Sequence, residues 1–166
     1  MAGHSDNDLA LPAFDEAPKV LIVIAPYYKG ISEAQLASAR AVLERGGATH
    51  ETIEVPGSLE IPTAIALAHR QADFDGYVAL GCVIRGRTSH YDIVAFESAR
   101  AIATLGLGGA CIGNGIITVE DMAQAEERAD ADRLDTAGGA AQAALHLIHL
   151  QRTLSKAPKG IGFRSG

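Results

Sequence analysis

Residues 85–90 of the 166-residue chain bring together two guanidinium groups, two hydroxyls and an imidazole, with Gly86 among them. Arginines and hydroxyls at the start of a helix suit phosphate, because the free N–H groups and the helix dipole favour an anion there. His90 is the last of the group, and an imidazole titrates near neutral pH and can shuttle protons. The same residues also fit an exposed capping turn, so both interpretations stay open.

Two further predicted turns carry polar or aromatic side chains, and two more candidates lie in a predicted strand and a predicted helix. Ser58 and Glu60 suit hydrogen bonding to a ligand, although capping of a helix explains them equally well. The pair Tyr27 and Tyr28 suits stacking on a flat ring or packing under a loop. Asn114 lies between two glycines, which permit close approach of a ligand or a neighbouring backbone. Arg128 is a candidate for phosphate, with a surface ion pair as the alternative.

Several kinds of chemistry are disfavoured. No lysine occurs between residues 30 and 155, which argues against a Schiff-base nucleophile in the body of the fold. The chain has two cysteines, Cys82 and Cys111, without metal-ligand spacing or a disulfide framework. His146 and His149 lack a third zinc ligand nearby. The glycine-rich dinucleotide and P-loop motifs are absent, and we predict no metal site.

The elements that must position these residues alternate between strand and helix patterns. A continuous β-branched run predicts a first strand that is buried on both faces. Ser32 with Gln35 matches a capping box at the first helix. The predicted strands are Val20–Ala25, Thr49–Val55, Tyr77–Ile84 and Ala110–Thr118, and the predicted helices are Ile31–Arg45, Glu60–Gln71, His90–Leu105, Glu120–Asp130 and Ala137–Leu154.

This alternation predicts an α/β fold with a four-stranded parallel sheet and helices on both faces. Ligands of such sheets lie beyond the carboxyl ends of the strands, where the candidate turns occur. We expect one domain over residues 18–155, with an N-terminal arm over 1–17 and a C-terminal tail over 156–166.

Composition and charge exclude other classes. Hydrophobic residues make up 48% and charged residues 20%, and the net charge is −6. The first 16 residues carry four acids and the last 16 carry four bases, so their charges cancel. No basic face that would bind nucleic acid is visible. The longest strongly apolar run has six residues, far fewer than a membrane span needs, and the polar N-terminus favours the cytoplasm.

Three motifs then identify a family resemblance. They are residues 55–62 (VPGSLEIP), 79–90 (ALGCVIRGRTSH) and 113–120 (GNGIITVE), followed by Gln124-Ala125. Together they resemble lumazine synthase, over residues 20 to 154 and closest to the alphaproteobacterial branch. The resemblance implies a flavodoxin-like three-layer α/β/α sandwich that assembles into pentamers, in some members into a hollow icosahedral shell.

The resemblance also implies the penultimate step of riboflavin biosynthesis. In that step 5-amino-6-(D-ribitylamino)uracil condenses with 3,4-dihydroxy-2-butanone 4-phosphate to 6,7-dimethyl-8-ribityllumazine. The imine forms between the two substrates, so no metal or organic cofactor is implied, in agreement with the missing interior lysine. Riboflavin synthase is a candidate partner.

Roles for site residues follow from the same resemblance. His90 matches the general acid/base. Arg87, Thr88 and Arg128 match phosphate-binding positions, and Asn114 stands where a neighbouring subunit covers the ring. The residues that match substrate-binding positions are Tyr27, Ser58, Leu59, Glu60, Cys82, Val83, Ile84 and Asn114.

Two features depart from the family pattern, and one of them is Pro26, where relatives often carry an arginine. Thr136 and Gly139 stand where relatives commonly carry a lysine and an acid, and we hypothesise that Arg87 restores the lost positive charge. A weakly active paralogue that forms shells or binds flavins is therefore the alternative function, and a flavodoxin-like regulatory domain is a more distant one. We also expect the acidic arm, residues 1–17, to lie against a neighbouring subunit.

Overall fold

A computed structural model of the chain describes residues 9–156. Strands and helices alternate along the chain, as the sequence predicts. The strands are β1 (Lys19–Ile24), β2 (Thr49–Glu54), β3 (Gly76–Ile84) and β4 (Ile112–Val119), and the helices are α1 (Lys29–Arg45), α2 (Glu60–Gln71), α3 (His90–Leu107), α4 (Met122–Ala129) and α5 (Thr136–Lys156).

The four strands form one parallel sheet in the order β2-β1-β3-β4. Val23 in β1 pairs with Ile53 of β2 and with Ala79 of β3, so β1 lies inside the sheet. All of β1 beyond Lys19 is buried, which explains its unbroken apolar sequence. The predicted α/β fold with a four-stranded parallel sheet is confirmed, and the strand order agrees with the flavodoxin-like arrangement.

Alternate side chains of β1 enter two separate cores. Val20, Ile22 and Ile24 pack with residues of α1 and α5 on one face of the sheet. Leu21 and Val23 pack with α2 and α3 on the other face. The three layers therefore follow directly from the period-two alternation of a strand covered on both sides.

The start of α1 differs from the prediction. The helix begins at Lys29 and has no side-chain cap, so the capping-box interpretation is wrong. The Ser32 hydroxyl instead donates to the Tyr28 carbonyl at 2.9 Å, and Gln35 is fully buried against the sheet. The spacing of Ser32 and Gln35 matches a capping box, but contacts with other parts of the fold determine what each side chain bonds.

Residues 9–16 of the N-terminal arm pack on α5 of their own chain. Phe14 lies edge-to-face with His149, at 6.0 Å between ring centroids. Arg152 donates to the Glu16 carbonyl at 2.7 Å, and Lys156 pairs with Asp15 at 3.6 Å. The expectation that the acidic arm lies against a neighbouring subunit stays a prediction. Residues 1–8 and 157–166 lie outside the described part of the chain.

None of the helices within residues 9–156 combines the length and the apolar character needed to cross a membrane.

Candidate active site

The carboxyl ends of β1, β2 and β3 and the start of α3 enclose a cleft of about 370 Å³. Three of the predicted turns meet there, because parallel strands present their carboxyl ends at one edge of the sheet. The cleft is lined by Tyr27, Tyr28, Pro56, Gly57, Ser58, Leu59, Glu60, Cys82, Val83, Ile84, His90 and Val94.

Eight of the twelve residues that the sequence nominates belong to this lining. Arg87, Thr88, Asn114 and Arg128 do not. The sequence reasoning missed Val94, which lies one helical turn after His90 and could have been found from that spacing. It also assigned no role to Tyr28 beyond its pairing with Tyr27.

Ser58 forms part of the inner wall of the cleft. Its side chain is buried, and it approaches the backbone of β3 at Gly81. A Cβ atom at position 81 would lie 2.9 Å from the Ser58 Oγ, which is closer than side chains normally come. The absence of a side chain at Gly81 therefore lets the hydroxyl sit against the strand that continues into Cys82, Val83 and Ile84.

The Cys82 thiol is not an activated nucleophile. Burial raises the pKa of Cys82 from 9.0 to about 11, so the thiol stays protonated near neutral pH. The pKa of Tyr28 is also raised, first by burial and then by the neighbouring Cys82 and Tyr27. This end of the cleft is accordingly neutral.

Tyr27 presents an aromatic ring at the mouth of the cleft. It is 74% exposed and meets Tyr28 edge-to-face, with ring centroids 5.0 Å apart at an interplanar angle of 70°. Tyr28 is half-buried beneath it. Contact with Tyr28 thus fixes the Tyr27 ring at one edge, while most of the Tyr27 surface stays open to a planar ligand.

The two arginines of the turn before α3 have different environments. Arg85 pairs with Glu120 at 2.8 Å and with Asp92 at 3.0 Å, and its guanidinium lies 4.0 Å from the centroid of the Tyr91 ring. Arg87 is exposed and, within residues 9–156, makes no ion pair. Arg87 is therefore the arginine of this turn whose charge is available to an anion.

Thr88 lies at the start of α3, next to His90. Its hydroxyl accepts the backbone N–H of His90 at 3.4 Å, whereas Ser89 gives the helix no side-chain cap. Both Thr88 and His90 are exposed. The first turn of α3 thus offers a hydroxyl, an imidazole and the positive end of the helix dipole, a combination that suits a phosphate.

Asn114 and Arg128 lie away from this cleft. Asn114 is exposed on β4 and lines a second groove of about 330 Å³ between β4 and α3, together with Tyr91 and Phe96. Arg128 is half-buried on α4, and one of its guanidinium nitrogens donates to the Gln124 carbonyl at 3.3 Å. Thr136 and Gly139 belong to α5 and line neither space.

Within residues 9–156, no three histidine, cysteine, aspartate or glutamate side chains lie together in a group that could hold a metal ion. What the cleft offers is an open aromatic ring, hydrogen-bonding groups on Ser58 and Glu60, and an imidazole at its rim. This set suits a planar polar molecule that undergoes proton transfer.

The family model for 6,7-dimethyl-8-ribityllumazine synthase matches residues 17–152. The chain belongs to this family. The matched residues include all four strands and every residue that lines the cleft. The match confirms the resemblance that the three motifs predict.

Similar proteins carry the same description. The chain is 70% identical to 6,7-dimethyl-8-ribityllumazine synthase from Jannaschia sp. (strain CCS1) over 99% of its own length and 92% of the relative. It is 53% identical to the protein of that name from Novosphingobium aromaticivorans, over 82% and 99% of the two chains. Identity to the Methylocella silvestris protein is 55%, over 80% and 84%. The alphaproteobacterial branch predicted from the sequence is confirmed.

Proposed function

We propose that the chain catalyses the condensation of 5-amino-6-(D-ribitylamino)uracil with 3,4-dihydroxy-2-butanone 4-phosphate to 6,7-dimethyl-8-ribityllumazine. The observation that carries the proposal is the cleft itself, in which eight residues nominated for this reaction meet at one sheet edge. Its rim adds the phosphate candidates Arg87 and Thr88 next to His90.

The pyrimidine substrate binds in the cleft between the Tyr27 ring at its mouth and Ser58 on its inner wall. Its ring stacks on the open face of Tyr27, and its edge meets the backbone of Cys82, Val83 and Ile84. Ser58 and Glu60 hydrogen-bond to the ribityl chain and the ring. Because Ser58 is buried and fixed against β3, it orients the ligand at little further cost in side-chain entropy.

The phosphate of the second substrate binds at the start of α3. Arg87 supplies a positive charge there, the Thr88 hydroxyl supplies a donor, and the helix dipole favours the anion. Arg85 contributes little to this anion, since Glu120 and Asp92 already neutralise it.

His90 moves protons between the two binding regions. It lines the cleft while its backbone belongs to the phosphate-binding turn. As a base it accepts the proton that the attacking amino group loses, and as an acid it protonates the departing hydroxyl when the imine forms. The later loss of phosphate and the ring closure also need proton transfers, which the same imidazole serves.

The imine nitrogen comes from the pyrimidine substrate rather than from the protein. Lys29, which is close in sequence to the cleft residue Tyr28, pairs with Glu33 and does not belong to the lining. Substrate amine and substrate carbonyl therefore react directly, and the cleft contributes orientation and proton transfer.

The proposed functional unit of the enzyme is a homopentamer with active sites shared between subunits. The cleft is open, whereas Asn114 lines a different groove of the same chain. The α3 face beside that groove exposes apolar side chains, including Phe96 at 70%. Packing of this face over the cleft of a neighbour would bury Phe96 and bring Asn114 to the substrate ring, and Arg128 would reach the phosphate in the same way.

Steady-state assay of the purified protein with both substrates tests the reaction. Formation of the lumazine product, followed by its absorbance, supports the enzyme. Tight binding of lumazine or flavin without turnover supports the alternative, a shell or binding paralogue, which the absent lysine and acid at positions 136 and 139 favour. Native mass measurement tests the assembly: a pentamer weighs about 86 kDa and a sixty-chain shell about 1 MDa, from 17.3 kDa per chain.

A further inference from the structure

A glutamine side chain is enclosed between α1 and the sheet. Gln35 has no exposed surface. Its Nε2 donates to the Gly81 carbonyl of β3 at 3.1 Å and to the Gly115 carbonyl of β4 at 2.9 Å. One amide group thus joins two neighbouring strands at the edge where the cleft opens.

The orientation of this amide follows from its partners. Both contacts are carbonyl oxygens, which accept hydrogen bonds and cannot donate, so the NH₂ end must face the sheet. The remaining atom, Oε1, is buried and has no hydrogen-bond partner within residues 9–156. A buried acceptor without a partner lowers stability. An apolar side chain of similar shape would therefore remove this unfavourable contribution to the free energy of folding.

The two carbonyls belong to residues that adjoin the proposed site. Gly81 directly precedes Cys82, which lines the cleft, and Gly115 directly follows Asn114. From the other face of the sheet, Ser58 packs against Gly81. Gly81 therefore contacts Gln35 on one side and Ser58 on the other, and the same Gln35 amide also bonds to β4.

We infer that Gln35 is a positioning residue: it fixes the carboxyl end of β3 relative to β4 and so sets the geometry of the pyrimidine-binding backbone. The inference rests on the proposed function, because it concerns the same cleft. Gln35 itself touches no substrate, and it acts through Gly81 on the backbone that follows. Small displacements of positioned groups are costly, since even a 1 Å shift can reduce a rate by roughly a hundredfold.

Replacement by methionine tests the inference. Gln35→Met keeps a similar length and a chain that is unbranched at Cβ and Cγ, but it removes both N–H donors and the unpaired oxygen. We expect kcat/KM for the ribitylaminouracil to fall by about tenfold, mainly through KM, while KM for the butanone phosphate stays within about twofold. We expect the melting temperature to change by only a few degrees, because lost hydrogen bonds and a removed buried acceptor partly offset each other.

Val42→Ala is the matched control, since Val42 is buried on the same helix and its side chain has no group that could hydrogen-bond to either carbonyl. It should lower the melting temperature at least as much as Gln35→Met and leave both KM values unchanged. Gln35→Leu provides a second variant with a strongly helix-forming side chain. The inference is overturned if either Gln35 variant retains wild-type kcat/KM, or if Val42→Ala reproduces the same KM change.

Amide hydrogen exchange separates the inference from the proposed reaction. Exchange in peptides covering residues 79–86 and 112–119 should be faster in Gln35→Met than in Val42→Ala. If the wild-type protein forms no lumazine but this exchange difference is present, the proposed function fails and the strand-positioning role stands. Equal exchange in both variants overturns that role whether or not the wild type is active.

Discussion

Gly113→Ala would place a methyl group where α5 crosses β4. A Cβ atom at position 113 would lie 1.8 Å from the carbonyl oxygen of Ala140 and 2.6 Å from its carbonyl carbon. Both obstacles are backbone atoms, so rotation of a side chain cannot relieve them. An ordinary contact of 3.4 Å requires α5 and β4 to separate by about 1.6 Å.

That separation would disturb a large part of the core. α5 buries seven residues, among them Leu145 and Ile148, against the sheet and α1. Overpacking typically costs about 1–3 kcal/mol, and a backbone clash belongs at or above the upper end. For a domain of this size, 3 kcal/mol corresponds to a fall in melting temperature of roughly 6–12 °C.

Gly139→Ala is the control on the facing helix. A Cβ atom at Gly139 has nothing within 4 Å, and alanine is the better helix former, so we expect unchanged or slightly higher stability, by about 0.5 kcal/mol. Both variants are compared with the wild type by thermal unfolding at equal protein concentration, because assembly raises the apparent stability. A Gly113→Ala melting temperature within 2 °C of the wild type, as an approximate threshold set by ~2–4 °C per kcal/mol, would refute the close approach of α5 to β4.

Three further predictions concern the cleft and its rim. Arg87→Ala should raise KM for the butanone phosphate about tenfold. The control Arg100→Ala removes an exposed guanidinium paired with Glu97 and should leave this KM unchanged. An equal rise of KM in both variants would contradict the phosphate-binding role of Arg87. His90→Ala should lower kcat by roughly a hundredfold or more without abolishing turnover, and an unchanged rate contradicts its assignment. Alkylation of Cys82, followed by peptide mass, should stay slow at pH 8 and accelerate only toward pH 11; because its folded pKa lies above 9.0, deprotonation should also reduce stability from pH 9 upward. Rapid labelling at pH 8 would show that the thiol is not buried as described.

The sequence predicted the framework of the fold because each element carries its own periodicity. The unbroken apolar run after Lys19 is typical of a strand that is covered on both faces, and the structure has such a strand there. The predicted bounds of α2 agree with the structure at both ends. The turns that bear the candidate residues were thereby placed at one sheet edge before any contact was known.

What the sequence did not predict depends on contacts between distant segments. Ser32 and Gln35 fit a capping pattern, yet Gln35 reaches strands far along the chain. Arg85 and Arg87 look alike in sequence, and the positions of Glu120 and Asp92 in the fold distinguish the paired arginine from Arg87. Asn114 was predicted within a strand, and its separation from the cleft of its own chain follows from the sheet order.

The packing of residues 9–16 on α5 has a consequence for the covalent connectivity of the chain. Asp15 and Lys156 are neighbours in space, at the edge of the sheet where Arg152 also holds Asp75 just before β3. The cleft lies at the opposite edge, beyond the carboxyl ends of the strands. A short linker between these two points would close the body of the fold into a ring, so that new ends could be opened at an exposed turn without rebuilding the cleft.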